Sequence, residues 1–151
     1  MFTTVRYFVK TSIIFLITGI FTGLYMSFST NVFNSGYPGE LISAHTHIIL
    51  VGAVMMMIMG VALWFFPRAS KEDKKYNPDL IWNVYILITS ATALRFVTEV
   101  ISAFTGSQSF RYLISIFSLL QVAAMLLFFY SIWGRIRSVG SHIREAQGEK
   151  F

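Results

Sequence analysis

Four long stretches of this sequence carry almost no charge, and no other feature limits its fold so sharply. Residues 11–28 and 112–134 contain no Asp, Glu, Lys or Arg; residues 41–66 add only two histidines; residues 80–104 hold one arginine and one glutamate. A helix of roughly 20 apolar residues crosses a bilayer core about 30 Å thick. Each stretch meets that length, and none alternates as a barrel strand would. The expected fold is all-α, a bundle of four transmembrane helices forming a single integral membrane domain over residues 1–151. Composition agrees. Charged residues are 13% of the chain, against about 25% in an ordinary soluble domain. With 55% hydrophobic residues, a soluble globule and a disordered chain are both excluded.

The links between the stretches fit this reading. Asn34, Gly36, Pro38 and Gly39 are turn formers between the first two. The link at 105–110 is short, so the last two helices form an antiparallel hairpin. Lys and Arg fix the expected orientation. Arg6, Lys10, Arg68, Lys71, Lys74, Lys75, Arg135, Arg137, Arg144 and Lys150 fall on one side, and only Arg111 on the other. Both termini are therefore expected in the cytoplasm, with the bundle in a bacterial inner membrane. The net charge of +5 is thus a topology signal. It points to anionic lipid as a partner and away from nucleic acid. Arg6 and Lys10 ahead of an apolar run resemble a signal sequence, but the run is long and no A-x-A site follows, so a retained helix is expected. Within it, Gly19 and Gly23 form a small-xxx-small pair suited to close helix contact.

Ionisable side chains inside a span are expensive and require an explanation. His45 and His47 lie in the second stretch, Arg95 and Glu99 in the third. With the helices running in opposite directions, all four fall in one layer near the outer surface. His45 and His47 are two apart, about 200° around a helix, so they face different neighbours. Arg95 and Glu99 are four apart and share a face. Two readings are open for them: an internal ion pair, or an arginine that binds an anionic group while Glu99 orients it or handles protons. A neutral imidazole is a good ligand for haem iron, or alternatively a buried histidine bonded to a carbonyl. From His45 one stripe passes Ile49, Gly52, Met56 and Met59 or Gly60, and its glycines leave room for a flat ring or a close helix. Cysteine is absent, which excludes thiolate metal sites and c-type attachment. Any haem would be b-type.

Consecutive methionines at 55–57 point in different directions and are expected to be packing residues. Phe128, Phe129, Tyr130 and Trp133 are expected as lipid-facing or interfacial anchors. Gln121, in mid-span, is expected to bond between helices, with a quinone contact as a weaker possibility. Tyr37 and Tyr112 lie at the outer boundary, within reach of haem propionates.

The run Ala44-His45-Thr46-His47-Ile48-Ile49-Leu50-Val51-Gly52, continuing to Trp64-Phe65-Phe66-Pro67-Arg68, resembles the second helix of the haem-copper oxidase superfamily, and small four-helix proteins similar to its subunit I. The resemblance implies that His45 binds a low-spin haem b through iron and that His47 matches the second histidine of the small-protein pattern. On the second reading of the Arg95 and Glu99 pair, the anionic group on Arg95 is a haem propionate. The superfamily's copper site and high-spin haem need further histidines on later helices, and the remaining one here, His142, lies in the tail. The chain thus lacks an oxygen-reducing centre. A second axial ligand has three possible sources: a histidine of a second copy in a homo-oligomer, a dimer first and a trimer next; Met26, at the right depth; or an open position for a gas. The expected function is electron transfer through haem held between protomers, with a redox partner or quinone. The alternatives are a haem-based sensor or reductase for NO or O2, and a haem-free accessory subunit of a respiratory complex.

Overall fold

The computed structural model describes residues 3–66, 78–136 and 147–148. Four helices in it are long and apolar enough to cross a membrane. The first, α1, runs Thr3–Asn31. The second span consists of α2 (Glu40–His47), a π-helical segment (Ile48–Met55) and α3 (Met56–Phe65). The third and fourth spans are α4 (Pro78–Thr105) and α5 (Gln108–Ile132), the latter ending in a 3-10 turn at Trp133–Arg135. The chain is an integral membrane protein. His142 and most of the basic residues behind the expected orientation lie outside the described residues.

Two boundaries differ from the uncharged stretches. Helix α1 starts at Thr3, so Arg6 and Lys10 are helical, and α5 starts at Gln108. The absence of charge marks the part of a helix that fits in hydrocarbon. Backbone hydrogen bonding continues until a breaker stops it, and no Gly or Pro stands between Thr3 and Thr11.

Helix α1 packs along the second span, which packs against α4, and α4 packs against α5. Cross-links place the ends. Glu40 and Arg111 approach to 3.8 Å at one end, where the 32–39 loop and the Gly106 turn lie; this is the hairpin end. At the opposite end Arg135 donates to the Phe66 carbonyl at 3.2 Å, covering the last turn of α3. Near that end the Tyr85 and Thr11 hydroxyls are 2.8 Å apart, and Trp82 stacks on Tyr85.

The core is a thin seam between the helices, with Phe8, Met56, Ile88 and Phe128 fully buried. Large apolar side chains cover the outside, as lipid contact requires. Trp133, Tyr130 and Phe129 are exposed, as expected of anchors, but Phe128 is 1% exposed. Its ring meets Phe8 edge to face. A run of four aromatics cannot all face lipid, because successive residues turn by about 100°.

The glycines of the second span are used for helix contact. A Cβ on Gly52 would stand 2.8 Å from the Phe15 ring, and one on Gly60 would stand 3.0 Å from Phe8 Cβ. Of the two uses expected for this stripe, a ring or a close helix, α1 takes the space at both positions. The π segment is a departure that apolar patterning does not signal. Met56 N–H reaches back to Val51 O, five residues, in a stretch that contains Gly52. Wide turns of this kind are rare and recur at functional sites. Here the turn begins one residue after His47.

Candidate functional site

His45 and His47 leave α2 toward different helices, as their spacing requires. His45 turns to α1. Its Nδ1 lies 3.0 Å from the Gly19 carbonyl, which can only accept, so Nδ1 carries the proton of that bond. The ring rests on Gly23, where a Cβ would come within 2.9 Å of His45 Cε1. The Gly19 and Gly23 pair is therefore the seat of the imidazole. One glycine supplies the carbonyl and the other the space. Their role at the site is not evident from the sequence, although the small-xxx-small spacing signals that something packs there.

Beside the ring is a cleft of about 370 Å³ bounded by Gly23, Met26, Ser27, Thr30 and Tyr37. His45 lines it, and Nε2 has no hydrogen-bond partner among the described residues. Met26, expected at the same depth, shares the cleft. Gly52 does not, because Phe15 covers it. Tyr112 is 66% exposed on α5.

His47 turns to α4 and joins a polar network in which Glu99 Oε2 is buried without a hydrogen-bond partner. Its Nδ1–H donates to the Ser43 carbonyl at 2.8 Å. Arg95 Nη2 lies against the ring, 3.1 Å from Nδ1 and 3.0 Å from Nε2. The same guanidinium donates through Nε to Glu99 Oε1 at 3.1 Å and through Nη1 to Gln121 Oε1 at 2.9 Å. Gln121 in turn donates to Thr92 Oγ1 at 2.9 Å, and Ser43 Oγ donates to Glu99 Oε1 at 2.8 Å. The Arg95 and Glu99 side chains are 12% and 2% exposed. Arg95 and Glu99 form an ion pair at 3.1 Å. Gln121 bonds between α4 and α5, as expected.

The four ionisable side chains thus share one layer but not one site. His47, Arg95 and Glu99 tie α2, α4 and α5 together with their polar atoms largely engaged. His45 stands apart on the α1 side beside a cleft, and its Nε2 has no partner among the described residues. Among the described residues, only His45 has one ring nitrogen held by a carbonyl and the other without a partner, as a metal-ligating histidine does. The ring of His47 is covered by Arg95 Nη2, within 3.1 Å of both its nitrogens. The donors and the thioether beside His45 in this cleft, Tyr37, Thr30, Asn31 and Met26, are groups that a haem bound there would meet.

Gly23→Ala tests this seat. The added methyl displaces the ring or breaks the bond to Gly19, an overpacking of about 1–3 kcal/mol. Haem loading of the purified protein, read by absorbance, is expected to fall well below wild type. Gly39→Ala is the control, since nothing lies within 4 Å of a Cβ there. Equal loading in both variants would remove Gly23 from the site.

A comparison with protein families matches residues 3–149 to "Cytochrome C and Quinol oxidase polypeptide I". Neither the curated proteins nor the solved structures contain a match to the chain. The family match covers nearly the whole chain, well beyond the second-span motif that carries the resemblance. An all-helical membrane bundle with a histidine near one end of its second span agrees with it. On that match, this chain belongs to the cytochrome c and quinol oxidase polypeptide I family.

Proposed function

We propose that this chain is a b-type haem-binding membrane protein that carries electrons, with His45 Nε2 as an axial ligand. Family membership supports an oxidase-related role. The observation that carries the finer reading is the state of His45: Nδ1–H held by Gly19 O and Nε2 unengaged on the cleft. When bound, a b-type haem supplies a one-electron iron couple. The chain's own residues do the rest. The Gly19 carbonyl sets the tautomer and ring orientation, and raises the basicity of Nε2. Gly23 leaves the room that the imidazole itself occupies. With no cysteine, retention is non-covalent.

One chain brings one such nitrogen to the cleft. We propose that a second copy supplies the other axial histidine in a homo-oligomer, most simply a two-fold dimer. Met26 is the candidate within the chain. Two histidine ligands leave no open position, which suits electron transfer.

The test is a reduced-minus-oxidised spectrum of the detergent-purified, haem-supplemented protein, repeated under carbon monoxide. A low-spin b-type spectrum that carbon monoxide leaves unchanged is expected. A shifted spectrum would replace the electron carrier with a gas-binding protein. The absence of any Soret band would leave a haem-free accessory subunit.

A further inference from the structure

A b-type haem carries two carboxylates, and the sequence offers Arg95, Tyr37 and Tyr112 as their partners. Resting on the haem reading above, we infer that Tyr37, Thr30 and Asn31, at the hairpin end of the His45 cleft, receive the carboxylate edge. These are neutral donors at a place that Arg95 does not share.

The lining of the cleft changes in character along α1. From Gly23, beneath the imidazole, the helix climbs to Asn31, a rise of about 12 Å. Met26, Ser27, Thr30 and Asn31 repeat at helical spacing and line the same cleft. The residues next to the ring are Gly23 and Met26, without hydrogen-bond donors in their side chains. The residues farther along carry hydroxyls and an amide, and Tyr37 adds its phenol from the 32–39 loop. A porphyrin is apolar on its faces and anionic along one edge. A carboxylate is costly in hydrocarbon, so that edge goes to the end of the cleft where donors stand and the helix leaves the span.

Those donors are available. The Tyr37 hydroxyl and Thr30 Oγ1 make no hydrogen bond among the described residues. Asn31 Nδ2 spends one N–H on Ser27 Oγ at 3.2 Å and has a second. Arg95 is held elsewhere: each of its three nitrogens has a partner in Glu99, Gln121 or His47, and it does not line the His45 cleft. It also meets α2 through His47, which faces away from His45.

The experiment loads the full-length protein with haem b or with its dimethyl ester, which lacks the anions. Release to an excess of haem-scavenging apoglobin is then timed for wild type and for Tyr37→Phe/Thr30→Val. Both substitutions keep shape and lie at half-exposed or exposed positions, so the bundle is preserved. Wild type should release the ester faster than haem b. The double variant should release haem b at least about tenfold faster than wild type, as expected for lost hydrogen bonds to a charged group, and the ester at an unchanged rate. A double variant that still holds haem b in preference to the ester, at the wild-type rate, overturns this inference and leaves the haem reading standing. No Soret band with either macrocycle overturns both.

Discussion

Purified His45→Ala should show no low-spin haem spectrum, while its helical circular dichroism matches wild type. The two readouts separate ligation from folding. The imidazole makes one hydrogen bond, to a carbonyl in the middle of α1. Gly19 O keeps its helical partner when the ring is gone, so little is left unsatisfied. The ring is half-buried at the edge of the bundle and outside the apolar core. Its removal therefore enlarges a cleft that already exists. The matched variant is His47→Ala, two residues away and just as apt a ligand by type. It should keep the spectrum, because its nitrogens are engaged by Ser43 and Arg95. A spectrum that survives His45→Ala and disappears with His47→Ala would reverse the site. One that survives both would remove α2 from it.

The second large effect concerns stability. Arg95→Met leaves Glu99, 2% exposed, as a carboxylate without its cation. Breaking a buried pair by removing one partner typically destabilises by about 3–5 kcal/mol. The variant also strands the acceptor on Gln121 and leaves the His47 ring without Arg95. Its thermal midpoint in detergent should drop sharply and its yield should fall. Haem per folded chain should stay at the wild-type level, since the network does not reach the His45 cleft. Arg95→Met/Glu99→Leu should recover most of the midpoint, because replacing both members of a buried pair by apolar residues is often neutral or better. The recovery, read as a double-mutant cycle, measures their coupling. If Arg95→Met instead loses haem at an unchanged midpoint, the arginine binds an anion of the cofactor and the structural reading fails.

Much of this arrangement is legible along the chain. The spans follow from missing charge, because hydrocarbon rejects unpaired charge whatever the neighbours are. The common layer of His45, His47, Arg95 and Glu99 follows from counting along antiparallel helices. Their division into two sets is only half legible. A spacing of two sends the histidines to opposite faces, but both are half-buried, and nothing local says which faces α1 and which faces α4. The same holds for the aromatic run. Phe128 and Phe129 are neighbours of one type, yet one is 1% exposed and the other 42%.

What belongs to the sequence alone is thus the membrane, the four helices and the depth of the polar residues. Each depends on the transfer of single side chains or segments between water and lipid. What the tertiary structure decided is which side chains pair. Gly19 and Gly23 become the seat of His45 only because the second span crosses α1 at that height. Arg95 becomes the partner of His47 only because α4 lies on the other side. Pairing depends on how helices are rotated about their axes and how closely they approach. In lipid those choices follow from the fit of one surface against another, a property that no single stretch of sequence contains.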